Sequence, residues 1–183
     1  MEFKKWKILK SEVLIKNKWL TVRKDHIKMP TGVEMDDYYV LEYPDWVAVI
    51  AITEDGKYIM ERQYRHGIQR DCVELCGGRI EKGERPISAA MRELKEETGY
   101  GGGMWKLFSV TASNSSAMNN YCYTFLALGV KKLHTQELEK TEDIDVCILS
   151  EYDVIKEIEN GDVIQGDMLS SLWRWLFVKR ANE

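Results

Sequence analysis

The segment Gly77–Tyr100 constrains this chain most strongly, because it combines a predicted helix with an unfavourable arrangement of charge. Proline at the first turn, good helix formers and a terminal glycine predict a helix over Pro86–Thr98. Glu93, Glu96 and Glu97 have the spacing i, i+3 and i+4, so their side chains are neighbours within about 6 Å. Like charges at this spacing repel, and negative charge near the C-terminal end of a helix opposes the helix dipole.

A bound divalent cation would make this arrangement favourable. Mg²⁺ and Mn²⁺ prefer carboxylate oxygens and often share their coordination with water and substrate phosphates. Glu84 follows a loop bracketed by Gly78 and Gly83 and can fold back toward the same cluster, where Arg92 can orient carboxylates with its fork of donors. The alternative is a solvated acidic face paired with neighbouring basic residues, but it does not explain the glycines or their spacing.

The first third of the chain predicts a small antiparallel unit. Strands over Trp19–Lys28 and Met35–Glu42 flank a turn with proline and glycine, and 11–15 is a possible third strand. A break at Tyr43-Pro44-Asp45 places the domain boundary, giving an N-terminal β unit of residues 1–44 and a main domain of residues 45–183. Since two or three strands are marginally stable alone, we expect this unit to pack on the main domain or on a second subunit.

The main domain reads as a mixed α/β core. Trp46–Thr53 is a continuous apolar run, which is typical of a strand buried on both faces. The remaining predicted elements are strands over 57–64, 72–76, 105–112, 121–130 and 146–149, and helices over 154–160 and 168–180.

Composition excludes several classes of protein. The net charge of the 183 residues is −4, which disfavours a nucleic-acid binder, and no segment is long and apolar enough to predict a membrane span. The start of the chain lacks the apolar core of a secretion signal, so we expect a cytoplasmic protein. There we interpret the four cysteines as reduced core thiols, with a zinc site at the pair Cys72 and Cys76 as the alternative.

The residues around the predicted helix also carry a family resemblance. Five residues separate Gly78 from Glu84, and seven more separate Glu84 from the segment Arg92-Glu93-Leu94-Lys95-Glu96-Glu97-Thr98-Gly99-Tyr100. This pattern resembles the Nudix box, G-x5-E-x7-R-E-U-x-E-E-x-G-U. The flanking segments, Arg62-Gln63-Tyr64-Arg65 and Val73-Glu74-Leu75, resemble the ADP-ribose pyrophosphatase branch of the Nudix hydrolases. The resemblance implies the Nudix fold, an α+β protein built as an α/β/α sandwich with a mixed sheet between helices. It also implies a homodimer in which the N-terminal unit is exchanged between subunits.

The resemblance implies metal-dependent hydrolysis of the pyrophosphate bond of ADP-ribose or a related nucleotide sugar, with Mg²⁺ or Mn²⁺. The implied metal-binding residues are Gly77, Glu84, Glu93, Glu96 and Glu97, with Arg92 holding the glutamates. The implied substrate-binding residues are Arg65, Glu74 and Arg79. The acidic segment Thr141–Val146 makes Glu142 the first candidate for the general base, and Glu139 and Glu96 remain open.

Two departures from the branch keep other functions open. The segment 112–120 lacks the proline usual after the box, and Leu75-Cys76-Gly77-Gly78 stands where Leu-Pro-Ala-Gly is common. The alternatives are a Nudix hydrolase for another dinucleotide or a nucleoside triphosphate, and a Nudix-fold nucleotide sensor without catalysis. The complete set of box residues argues against the sensor.

Overall fold

The computed structural model describes residues 4–181, and these form two compact units. The first comprises the described residues up to Pro44 together with Ala112–Asn120, and the second comprises the rest from Asp45 onward. The sequence-based division assigns 112–120 to the main domain. Its hydrogen bonds explain the difference, since the Leu41 N–H donates to the Ala117 carbonyl (2.7 Å) and the Tyr38 hydroxyl donates to the Ser116 carbonyl.

The first unit is a three-stranded antiparallel sheet. Its strands are β1 (Lys7–Lys16), β2 (Thr21–Lys28) and β3 (Glu34–Glu42), in the order β1-β2-β3. The predicted hairpin is confirmed, and the possible third strand is longer than the pattern indicated. All ten residues of β1 are exposed, whereas Ile27 on β2 and Val40 on β3 are buried. Strand β1 is therefore not covered by the described residues of its own unit.

The second unit is built on a mixed sheet. Its strands are β4 (Trp46–Thr53), β5 (Tyr58–Arg65), β6 (Arg70–Leu75), β7 (Tyr100–Gly101), β8 (Met104–Thr111), β9 (Cys122–Lys132) and β10 (Asp145–Leu149). The order is β10-β5-β4-β9-β7, with β6 pairing with β5 and β8 pairing with β9. Strands β4 and β9 run parallel and the other pairs are antiparallel, which confirms the predicted mixed sheet.

Helices cover both faces of this sheet. They are α1 (Pro86–Glu93), which continues as a π-helical turn (Leu94–Thr98), α2 (Glu151–Glu159) and α3 (Gly166–Arg180). One face of β4 packs in a cluster with residues of α2 and α3, and the other face packs in a cluster with residues of α1 and the π-helical turn. The central residues of β4 are accordingly buried, as the apolar run predicts. The α/β/α sandwich is confirmed.

The helix boundaries depart from the sequence pattern in one instructive place. Helix α2 begins at Glu151, three residues before the predicted start at Val154. Ser150 caps it reciprocally with Asp153: the Asp153 N–H donates to the Ser150 hydroxyl, and the Ser150 N–H donates to the Asp153 carboxylate. Such a capping box satisfies two backbone donors at the start of a helix, which extends it beyond its apolar stripe. Within 4–181, no helix has the length and apolarity to span a membrane.

Candidate active site

Two consecutive glycines bring the backbone after β6 against β4 and leave room for a carboxylate. The Val49 N–H donates to the Cys76 carbonyl (2.9 Å) and the Val47 N–H donates to the Gly78 carbonyl (2.8 Å). A Cβ at Gly77 would lie 2.1 Å from the Val47 carbonyl oxygen, and one at Gly78 would lie 2.4 Å from Oε1 of Glu93. Each glycine therefore prevents a specific collision.

Arg92 gathers the glutamates of the box. Its Nε and Nη2 donate to the two carboxylate oxygens of Glu84, each at 3.0 Å, and its Nη1 donates to Glu93 (2.8 Å) and Glu96 (3.2 Å). Nη2 also donates to the Arg79 carbonyl (3.2 Å). The pKa of Glu84 is lowered by the hydrogen bonds from Arg92. One guanidinium thus joins the loop before α1 to three carboxylates.

Glu93 and Glu97 turn toward the protein interior. Both carboxylates are buried, and burial raises the pKa of Glu93 and raises that of Glu97 to about 7. One oxygen of Glu97, Oε2, accepts hydrogen bonds from the Gly77 N–H (3.1 Å) and the Cys76 thiol (3.2 Å). Two ionised carboxylates are costly in such a place unless a cation compensates them.

The acidic loop after β9 is hydrogen-bonded to the π-helical turn. The Glu137 N–H donates to the Glu96 carbonyl at 2.8 Å. Glu142 is half-buried and accepts a hydrogen bond from the Glu139 N–H (2.8 Å), whereas the Glu139 side chain is exposed. The charge of Glu142 contributes to raising the pKa of both Glu93 and Glu97, so it lies within electrostatic reach of the cluster.

Two of the predicted substrate-binding residues, Arg65 and Glu74, form an ion pair, and the third, Arg79, contacts the Arg92 network. Arg65, at the end of β5, donates from Nε to the buried Glu74 carboxylate at 2.9 Å, and this contact raises the pKa of Arg65. The two residues line a cavity of about 410 Å³ that also includes His66 and Gln165. The Arg79 side chain is exposed, and its carbonyl is the atom that joins the Arg92 network.

Sequence reasoning missed Glu61. This residue lies in β5, is fully buried, and neither of its carboxylate oxygens has a hydrogen-bond partner among the described residues. Burial and the neighbouring Glu97 charge raise its pKa well above the usual range. The strand periodicity could have revealed it: Glu61 follows Ile59 by two residues in β5, so both side chains face the same buried side of the sheet.

The donor set fits a divalent cation. Ligand atoms of Glu61, Cys76 and Glu97 lie within 4.8 Å of one another, and the Glu93 carboxylate lies beside Gly78. The buried carboxylates of Glu93 and Glu97 are oxygen ligands of the kind that Mg²⁺ and Mn²⁺ prefer. Cys72 is not in this group, so the alternative of a zinc site formed by Cys72 and Cys76 finds no support there. All four cysteines are free; Cys72, Cys76 and Cys122 are buried as predicted for core thiols, whereas Cys147 is half-buried.

Comparisons with known proteins found matches over most of the chain. A family model described as the NUDIX domain matches residues 43–170, and one described as the nucleoside diphosphate sugar hydrolase N-terminal domain matches residues 6–41. The chain is 32% identical over 160 residues to an ADP-ribose pyrophosphatase of Bacillus subtilis, covering 86% of this chain and 85% of that protein. It is 31% identical over 145 residues to the methanol dehydrogenase activator of Bacillus methanolicus, covering 79% and 78%.

A solved structure shares the fold. The crystal structure of an ADP compounds hydrolase superposes with a TM-score of 0.83 at 22% identity and covers 98% of each chain. The match over residues 43–170 spans most of the chain and includes every residue of the box and the carboxylate cluster. This chain is a member of the Nudix hydrolase family.

Proposed function

We propose that this protein hydrolyses the pyrophosphate bond of ADP-ribose or a related nucleotide sugar, giving a nucleoside monophosphate and a sugar phosphate. The observation that carries the proposal is the Arg92 network, which holds Glu84, Glu93 and Glu96 beside the buried carboxylate of Glu97. The B. subtilis relative, an ADP-ribose pyrophosphatase, supports the substrate class.

The metal would be Mg²⁺ or Mn²⁺, held by Glu93, Glu97 and the Gly77 carbonyl, with Glu84 and Glu96 completing or orienting the coordination. When bound, such a cation neutralises phosphate charge and lowers the pKa of a coordinated water. Arg92 acts as a positioning residue, because its donors are committed to carboxylates and to the Arg79 carbonyl. Glycine at position 78 leaves the Glu93 carboxylate free to lie against the backbone.

Glu142 is our choice for the general base. Its half-buried carboxylate lies within electrostatic reach of Glu93 and Glu97, and the Glu139 N–H fixes one of its oxygens, Oε2. The other oxygen, Oε1, would take the proton from the attacking water. Glu139 is exposed, and Glu96 accepts a hydrogen bond from Arg92, so both are less suited to this task.

Arg65 would bind the substrate phosphates. Glu74 holds its Nε and Nη2 atoms, which orients the guanidinium, and the side chain remains partly exposed. Arg79 would supply a second positive charge from the loop before α1. The adjoining cavity of about 410 Å³ lies within the usual size range of small-molecule sites, so it can receive the group on one side of the pyrophosphate.

The N-terminal β unit would form a homodimer. All ten residues of β1 are exposed, including Ile8, Val13 and Ile15, and an exposed apolar edge strand is a surface that proteins normally cover. Light scattering should give the mass of a dimer, and a monomer at micromolar concentration would contradict this assembly. The four free cysteines support a cytoplasmic location, where disulfides are rare.

A substrate panel tests the proposed activity. The purified protein is incubated with ADP-ribose, other nucleotide sugars, dinucleotides and nucleoside triphosphates, each with Mg²⁺ or Mn²⁺, and the products are identified by mass. AMP and ribose 5-phosphate from ADP-ribose are expected. Selective cleavage of a dinucleotide or a triphosphate would overturn the substrate class, and tight binding without any cleavage would indicate a sensor.

A further inference from the structure

We propose that Glu61, Cys76 and Glu97 form an inner cation site that binds Zn²⁺ or Co²⁺ in preference to Mg²⁺, through one sulfur and two carboxylate oxygens. The site would share Glu97 with the proposed Mg²⁺ site. The inference rests on the proposed function only in that Glu97 serves both positions.

Glu61 provides the first argument, because its environment is incomplete. The side chain is 0% exposed, and both carboxylate oxygens lack a hydrogen-bond partner among the described residues. Leaving a buried polar group unpaired is unfavourable, and more so when the group is charged. A ligand that binds carboxylate oxygen would remove this cost.

The surrounding charges indicate that the missing ligand is a cation. Glu61 stands directly opposite Glu74 in the β5–β6 pair, and Glu97 is a further acidic neighbour. The nearby guanidinium of Arg65 is engaged with Glu74 through its Nε and Nη2 atoms. Carboxyl groups therefore outnumber the guanidinium in this cluster, and a bound cation would favour the ionised form of Glu61.

Cys76 sets the kind of cation. Its thiol is fully buried and donates to Oε2 of Glu97 at 3.2 Å. Ligand atoms of Glu61, Cys76 and Glu97 lie within 4.8 Å of one another, a separation that small side-chain movements can close around one ion. Thiolate sulfur favours Zn²⁺ over Mg²⁺, which takes oxygen ligands.

Binding exchanges protons for the ion. The Cys76 S–H bond and the O–H bond of protonated Glu61 break, both protons pass to solvent, and one metal–sulfur and two metal–oxygen bonds form with no change in oxidation state. Zinc is usually four-coordinate in proteins, so three protein ligands would leave one position for a water molecule.

Cobalt substitution tests the site directly. Metal-free full-length protein is titrated with Co²⁺, and we expect a thiolate-to-cobalt charge-transfer band in the near ultraviolet. One equivalent of Zn²⁺ should displace Co²⁺ and remove the band, whereas Mg²⁺ at about 100-fold excess should leave the band unchanged. Cys76→Ser should abolish the band and weaken Zn²⁺ binding at least about 10-fold, since even residues that only support metal ligands contribute this much. Glu61→Gln should weaken Zn²⁺ binding similarly and retain the band.

A matched control is Cys122→Ser, which removes another fully buried thiol, one that packs in the cluster on the opposite face of the sheet. This variant should keep the band and the Zn²⁺ affinity of the unmodified protein. Because substitutions in the core can impair folding, X-ray absorption of the unmodified zinc-loaded protein provides a second measurement, with a sulfur scatterer expected at about 2.3 Å.

Oxygen and nitrogen scatterers alone, or a band that survives in Cys76→Ser, would overturn the inner site. Hydrolysis of ADP-ribose with Mg²⁺ separates this result from the proposed function. Mg²⁺-dependent turnover without the band refutes only the inner site, and the band without hydrolysis of any tested nucleotide refutes only the activity.

Discussion

We predict that Gly78→Ala lowers activity strongly and changes stability little. Alanine at this position would place its Cβ 2.4 Å from Oε1 and 2.5 Å from Cδ of Glu93. An ordinary contact of about 3.4 Å then requires the carboxylate to move by about 1 Å. Because a displacement of this size in a catalytic arrangement can lower the rate about 100-fold, we expect Gly78→Ala to reduce kcat by about that factor.

Stability should change little in Gly78→Ala. Gly78 does not have a positive φ, so alanine can adopt its backbone conformation, and the atoms that must move are the end of a flexible side chain. The free energy of unfolding should change by no more than about 2 kcal/mol, which is the order of a lost charged hydrogen bond.

Gly77→Ala is the matched comparison. Its Cβ would meet the Val47 carbonyl oxygen at 2.1 Å, and this oxygen belongs to a buried strand that cannot move aside. We expect a loss of about 3 kcal/mol in the free energy of unfolding, from overpacking and disturbed backbone hydrogen bonds. Denaturant unfolding and steady-state hydrolysis of ADP-ribose measure the two effects. Full activity in a stable Gly78→Ala variant would refute the role assigned to the Glu93 carboxylate.

Three further predictions concern charged residues of the site. Arg92→Lys replaces a paired fork of donors by a point charge, so kcat should fall about 10-fold or more, and unchanged kcat would contradict the positioning role. Burial raises the pKa of Glu97 to about 7, so between about pH 5 and pH 7 the unfolded chain ionises this group while the folded chain keeps its proton. The thermal midpoint of metal-free protein should therefore fall as the pH rises through this range. Glu97→Gln should make the midpoint depend less on pH. An equal pH dependence in both proteins would be evidence against the raised pKa of Glu97. Glu142→Gln should lower kcat about 100-fold or more, whereas the exposed Glu139→Gln should retain activity, and the reverse order would transfer the base to Glu139.

The fold was predictable where one physical signal dominated. The apolar run of β4 indicated a strand covered on both faces, and α1 on one side with α2 and α3 on the other provide that cover. The start of α2 was less predictable because a reciprocal cap at Ser150 outweighed the apolar periodicity. The assignment of 112–120 to the N-terminal unit depends on hydrogen bonds between residues distant in sequence, which a local pattern does not contain.

The candidate site was likewise predictable in part from the sequence. The spacing of Glu93, Glu96 and Glu97 predicts their proximity, and the structure joins two of them to Arg92 and buries the third. Glu61 was missed because a charged residue in a strand is ordinarily solvated, and only the three-dimensional arrangement reveals that its carboxylate is enclosed.

The central claim is tested most directly by comparing the unmodified protein with Glu97→Gln, using Mg²⁺ and ADP-ribose and identifying the products by mass. Glu81→Gln is a suitable control, since it removes an exposed carboxylate from the loop before α1. We predict that the unmodified protein and the control release AMP and ribose 5-phosphate, while Glu97→Gln folds normally and loses at least about 100-fold in turnover. Equal turnover in all three proteins would contradict the proposed metal site.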